Sequence, residues 1–243
     1  MSGRGTRVRL SGAVVAQDSE ATIAPVLGNL ATVCDEIVVV DGGSSDHTAE
    51  IAASQDGVRL YRRPCGDNLG AQKNFAFDQC LGDWILSLDT DELVDPRGLR
   101  WLRRLIGLPG FGWFSLPRYW LVEVEGRLHY LAGRPYYRDR QIRLFRNVPG
   151  HRYETTRQPI HHPFRKKCGL GRPLRHPHVF HYAFLLADRA AREAKVARYL
   201  AAEPQSAPLH RMVLYEDHDV ETRPLPGPPP GMLASRHRSR REG

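Results

Sequence analysis

The chain has 243 residues, 41% of them hydrophobic, enough to fill the core of one sizeable α/β domain. Its net charge of +8 suits a phosphate-bearing or acidic partner or an anionic membrane surface, but the arginines are dispersed and the densest run, RHRSRREG, ends the chain, which argues against a specific nucleic-acid module. Four scattered cysteines without C-x-x-C spacing exclude a disulfide framework or zinc knuckle, and no 18-residue apolar run or signal-type h-region is visible, so a cytoplasmic protein is expected, with peripheral contact at the inner membrane face left open by the charge.

In chain order, GAVVA (12–16) reads as a buried strand. A helix follows in which Ile23, Val26, Leu27 and Leu30 recur at helical spacing, with Asp18 or Ser19 as its cap. EIVVV (36–40) is a second strand, and after DGGSSD a helix capped by Ser45 or Asp46 runs to about Ala53. VRLYRR is a third strand, NLGAQKNFAFDQCL (68–81) a helix closed by Gly82, and WILSLD a fourth buried strand. A helix from Pro96, then antiparallel strands in GWFSLPRYWLVEVEG and RQIRLFRN, complete the sheet. The stretch 149–178 is loop-rich, and LLADRAAREAKVARYLAAE (185–203) returns to helix. Residues 216–243 are expected to be a disordered, basic, Pro-rich tail, leaving residues 1–215 as one domain with a nucleotide-binding half (about 8–100) and an acceptor-binding half (about 101–215).

Both acidic clusters, Asp41 and Asp89/Asp91 with Glu92, fall at the carboxyl ends of predicted parallel strands, the edge where open α/β sheets bind ligands. Two carboxylates at such an edge can converge on Mg²⁺ or Mn²⁺, which takes oxygen ligands and is commonly shared with substrate phosphates. A solvated turn with a helix cap is the plain alternative for D-x-D alone.

Taken together, EIVVVDGGSSDHTAEIA and QKNFAFDQCLGDWILSLDTDE resemble the family 2 glycosyltransferases of GT-A fold, especially the branch of lipopolysaccharide-core glycosyltransferases. The resemblance is close over residues 8 to 100 and looser through RLFRN and FHYAF…K…RYL to about residue 200. It implies a Rossmann-like nucleotide-diphospho-sugar transferase fold, a mostly parallel central sheet flanked by helices. It also implies metal-dependent, inverting transfer from a UDP-, GDP- or dTDP-sugar to a sugar-containing, lipid-linked or small-molecule acceptor. Asp41 would then read the base, with Gly42 and Gly43 letting the loop approach it. Lys73 and Asn74 would reach ribose or phosphate, Asp89 and Asp91 would hold the metal, and Arg143 with Arg146 would clamp the diphosphate. His181 and Tyr182 match an H-Y pair before the family's last helix; His181 is read as a satisfied buried histidine, with metal ligation or acceptor contact as the alternative.

The branch carries a V-H-E element after RLFR, whereas this chain has YETTRQPIHH and no His-Glu pair. Candidates for the general base are therefore Glu123, Glu125, Asp139, Glu154, His161 and His162. Glu154 is chosen, with His161 next; Glu123 and Glu125 read as one solvated strand face, and Asp139 as an ion-pair partner of its arginine neighbours. Two other enzyme classes compete. LDTDEL approximates a haloacid-dehalogenase-type nucleophile motif but comes after three strands, and a nucleotidyltransferase would show a Gly-rich phosphate loop where this chain has AQDSEAT.

Overall fold

The structure is a computed structural model describing residues 9–66, 68–137, 139–155, 163–165, 168–204, 207, 212–227 and 229–231. Its parallel half consists of β1 (Leu10–Ala16), α1 (Ile23–Ala31), β2 (Glu36–Asp41), α2 (Thr48–Ala53), β3 (Val58–Arg62), α3 (Leu69–Gln79) and β4 (Trp84–Leu88). Strand β1 lies between β2 and β4, and β3 adds outside β2, all parallel. Period-2 alternation splits the core between two faces. Val14, Ile37, Val39, Trp84 and Leu86 pack with α1 on one face. Ala13, Val38, Val40 and Ile85 meet Ala76 and Phe77 of α3 on the other.

The antiparallel half is built on one long strand, β6 (Phe111–Val124), which follows the short β5 (Glu92–Val94) and α4 (Pro96–Leu105). It turns through Glu125 and Gly126, both at positive φ, into β7 (Arg127–Leu131), the two-residue turn geometry that matches strand twist. Strand β8 (Arg140–Arg146) inserts antiparallel between β6 and β4 and joins the two halves. Strands β9 (Leu170–Pro173) and β10 (Val179–His181) both pair parallel with β6, and β10 also pairs antiparallel with β5. The result is a mixed sheet, parallel at its core.

Several local expectations are corrected. Asp18 and Ser19 do not cap α1: Asp18 accepts from the Ser45 amide (2.8 Å) and hydroxyl (3.0 Å), and the Ser19 amide donates to the Thr48 hydroxyl (2.7 Å), tying the β1 and β2 loops together. The expected helix over 185–203 is interrupted into α5 (Ala183–Leu186) and α6 (Arg189–Ala202), because Asp188 turns its carboxylate onto the Ala191 amide as a new N-cap. Part of the expected tail is ordered. Residues Thr222–Pro224 form β11 on the open edge of β7, where a proline is tolerated because its missing N–H faces outward, and Leu225 packs on the core. Residues 232–243 lie outside the described residues.

Strand β5 is held from the α1 side by one side chain. Buried Asn29 donates to the Val94 carbonyl (3.0 Å) and accepts from its amide (2.9 Å). Asn29→Ala leaves both backbone groups without this partner, so unfolding free energy should fall by about 2–3 kcal/mol in urea denaturation. A loss under about 0.5 kcal/mol, the range of ordinary surface substitutions, would show that the amide does not hold β5.

Candidate active site

Strands β1 and β4 are neighbours in the sheet but far apart in sequence, so their carboxyl ends flank a point where the winding direction changes, the usual ligand crevice of such sheets. Val15 of β1 and Gln17 just beyond it, with Asp89, Thr90 and Asp91 after β4, open there onto a cavity of about 770 Å³. Arg118 and Trp120 of β6, Asp139, Arg143 of β8, His181 of β10 and Lys195 with Tyr199 of α6 complete its walls.

Charges alternate through this wall. Lys73 Nζ lies 2.6 Å from Asp89 Oδ1 and Arg143 Nη2 lies 2.7 Å from Asp89 Oδ2. The same guanidinium contacts Glu92, which Arg118 Nη1 approaches at 3.2 Å. Arg118 continues to Asp139 through Nε at 2.8 Å, while its guanidinium stacks 4.4 Å from the Trp120 ring. The Trp120 indole (3.0 Å) and the Gln141 amide (2.7 Å) also donate to Asp139. Glu92 is 0% and Arg143 3% exposed, so these charges are tolerable only because each faces an opposite one.

Ionisation follows the same geometry. Burial would raise the Asp89 carboxyl, but Arg143 and Lys73 outweigh it and hold the group well below the usual carboxylate range. Burial opposes charge on Lys73 and Arg143 too, yet Asp89, joined by Glu92 for Arg143, leaves both raised. Asp139 is lowered, its burial more than offset by Arg118.

Asp91 is placed differently. Its Oδ2 lies 3.5 Å from His181 Nε2, and the Tyr182 amide donates to its carbonyl (2.8 Å). Burial lowers the His181 pKa despite the pull of Asp91, which favours the neutral ring and its lone pair. Its Nδ1 is buried without a hydrogen-bond partner among the described residues, which corrects the reading of a satisfied histidine. Among the described residues no group of three or more His, Cys, Asp or Glu forms a protein cage for a metal. A carboxylate and an imidazole opening on a cavity nevertheless fit a divalent cation that draws its other ligands from phosphate and water. Asp89 fits that role less well, since a cation already occupies each of its oxygens.

The other predicted residues separate from the cavity wall. Asp41 is buried and accepts from the Gly43 amide (3.2 Å) and from the Ser44 amide (3.3 Å) and hydroxyl (2.5 Å), closing its own loop around Gly43 at φ +96°. Asn74 spends its amide on the backbone of Tyr153, donating at 2.9 Å and accepting at 2.8 Å. That clamp puts Tyr153 in the cavity wall, and Glu154, next along an extended segment, points instead to Arg165 at 3.3 Å. Arg146 lies against Trp84 and donates to the Phe111 carbonyl (2.8 Å), outside the cavity lining. His161 and His162 lie outside the described residues. Arg118 was not singled out from sequence, and Lys195 entered only as the lysine of FHYAF…K…RYL, without a role. The signals were alternation in R-Y-W, which puts Arg118 and Trp120 on one face, and the i, i+4 spacing of Lys195 and Tyr199 on a helix.

A family model described as Glycosyl transferase family 2 matches residues 13–165. The lipopolysaccharide core biosynthesis glycosyltransferase LpsC of Rhizobium meliloti is 27% identical over 205 residues, 82% of this chain and 72% of that protein. An uncharacterized glycosyltransferase of Rickettsia typhi is 34% identical over 84 residues, 35% of this chain and only 28% of its own length. Among solved structures, S. aureus TarS 1–349 aligns with a TM-score of 0.47 at 16% identity, covering 86% of this chain and 70% of that one. No helix among the described residues is long and apolar enough to cross a membrane.

Proposed function

The chain belongs to glycosyl transferase family 2, with the GT-A arrangement expected above, and from that premise we propose that its cavity transfers a sugar from a nucleoside diphosphate to an acceptor hydroxyl with inversion. The observation that carries this reading is the pairing of Asp91 with buried His181 beside Lys73, Arg143 and Lys195 in one cavity. Asp91 and His181 would hold Mg²⁺ or Mn²⁺, which when bound supplies positive charge against the departing diphosphate.

The remaining work falls to the chain's own residues. Asp89 fixes Lys73 and Arg143, so their positive charge is set before substrate arrives and needs no reorganisation during reaction. Lys195 makes no ion pair among the described residues; its ammonium lies 5.6 Å from the Tyr199 ring centroid and is free to meet a phosphate. In the reaction the acceptor oxygen bonds to the anomeric carbon as the bond from that carbon to the diphosphate oxygen breaks, and the hydroxyl proton passes to a protein base.

Since a base must reach the reacting atoms, the proposed acceptor of that proton moves from Glu154 to Asp139. Asp139 faces the cavity, and among the described residues its Oδ1 carries only the Gln141 amide while Oδ2 takes Arg118 and Trp120. Asp139→Asn should cut kcat by at least about 10²-fold with donor affinity retained. Turnover near wild type would remove Asp139 from the chemistry.

Asp41 keeps the role of base reader, its loop standing beside the β1 end that lines the cavity. Asp41→Ala should then raise the donor KM more than it lowers kcat, because base contacts are shared by ground and transition states. An unchanged KM would count against it.

The function itself is tested by thermal-shift screening of UDP-, GDP-, dTDP- and CMP-sugars with Mn²⁺ or Mg²⁺, since a ligand that binds the native state raises its melting temperature. One nucleotide sugar should stabilise in a metal-dependent way. If none does, and phosphate is instead released from a generic aryl phosphate, the transferase reading fails.

A further inference from the structure

The wall between β6 and β10 has two faces. Tyr119 pairs with Phe180 and Trp120 with His181 across these strands, and alternation sends Trp120 and His181 into the catalytic cavity while Tyr119 and Phe180 face the opposite way. On that side they floor a second cavity of about 840 Å³, bounded by the first turn of α4, residues 172–178 and residues 225–227.

Its lining combines stacked aromatic rings with positive charge. His178 stacks on Tyr119 with centroids 4.1 Å apart and planes 7° from parallel, and His176 meets His178 edge-on at 4.8 Å. Burial, aided by His176, pushes the His178 pKa down to about 4, so at neutral pH this ring adds apolar face and no charge. Trp101 stands in the same lining, 42% exposed. Arg97, Arg172 and Arg175 face one acid, Asp95, whose carboxylate already caps α4 through the Arg97 amide (3.0 Å) and lies 3.6 Å from Arg97 Nε. Arg172 and Arg175 are exposed and have no carboxylate partner among the described residues.

We propose that this second cavity binds an anionic saccharide, its ring laid against the exposed indole of Trp101 and its phosphate or carboxylate held by Arg172 and Arg175. The guanidinium fork matches either anion with two parallel hydrogen bonds. The C–H faces of a pyranose suit flat aromatic surface, whereas its hydroxyls need the polar rim that an alkyl chain would leave unused. The chain's own last residues are a poor occupant, because MLASRHRSRREG carries four arginines against one glutamate. The choice of a saccharide rests on the glycosyl-transfer reading; the anion site rests only on the arginines. The anion is supplied either by a remote unit of an acceptor glycan or by a free sugar phosphate.

The test is calorimetric titration of the full chain and of R172A/R175A with glucose 6-phosphate, glucose, inorganic phosphate and an oligosaccharide bearing one uronate, each with and without UDP and Mn²⁺. Glucose 6-phosphate or the uronate oligosaccharide should bind saturably to the wild type, at least about tenfold more tightly than glucose or phosphate, and at least about tenfold more weakly to the double variant. Whichever of the two binds more tightly names the source. UDP should not compete, and UDP affinity should be the same in both proteins, showing that the variant is folded. Absence of saturable binding, equal binding to the variant, competition by UDP, or phosphate binding as tightly as the sugar phosphate would each overturn the proposal. Failure of UDP to bind either protein would sink the donor reading and leave the anion site standing on its own arm.

Discussion

Arg143→Met should lower the unfolding free energy by about 3 kcal/mol, at the low end for breaking a buried ion pair, because the two carboxylates it serves each retain one other cation. Methionine fills much of the same volume, so the loss is charge rather than cavity. Among the described residues the cations left would be Arg118 at 3.2 Å for the fully buried Glu92 and Lys73 at 2.6 Å for Asp89. Adding Glu92→Gln to Arg143→Met should recover part of the loss by removing the under-paired charge. The pH dependence has a definite sign. Asp89 is depressed in the folded state, so its contribution is present above the unfolded carboxylate pKa and is lost as pH falls through the folded one. Removing Arg143 raises that folded pKa, and the acid unfolding midpoint should move to higher pH. Equal stability of wild type and variant in urea at pH 7 would refute the account of Arg143 as the central cation of the wall.

Asp91→Asn should have the opposite profile, with activity lost and stability kept. Asp91 is partly exposed to the cavity, and its ion-pair contact among the described residues is His181, whose burial disfavours the charged ring, so the substitution strands no buried charge. Its carboxylate is the oxygen donor proposed for the divalent cation. Transfer should fall by at least about 10²-fold, the scale seen when one electrostatic contact to a developing charge is removed. Chelation by EDTA should reproduce the defect in the wild type, and the melting temperature without ligand should move by less than about 2 °C, since little stability is at stake. Full turnover in the variant or in chelator would exclude the metal role of Asp91; a collapsed melting temperature would make the residue structural.

The acidic residues at the site were legible because parallel strands end where apolar runs end, and Asp41 and Asp89 stand at those ends in the sheet as in the sequence. Their partners were not legible. Asp89 is claimed by Lys73 and Arg143, 16 and 54 positions away, and no local pattern says which cation reaches which carboxylate. Arg143, read as a diphosphate clamp, is buried between two acids. Strands β5 and β10 have three residues each, too short for alternation to distinguish ELV or VFH from loop, although together with β6 they set His181 against Asp91. Glu154 followed a family position, whereas its direction is fixed by Asn74 gripping the residue before it.

Glu92 precedes in the chain both arginines that neutralise it, and β5 pairs with a strand not reached until residue 179. On the ribosome, the parallel half therefore emerges with a carboxylate that cannot yet be buried. From Arg118 to His181 the chain grows by 63 residues, roughly 3–13 s at about 5–20 residues per second. Until then the corner beyond β4 stays solvated, and the catalytic cavity is among the last parts of the molecule to close, after the nucleotide half has had time to fold.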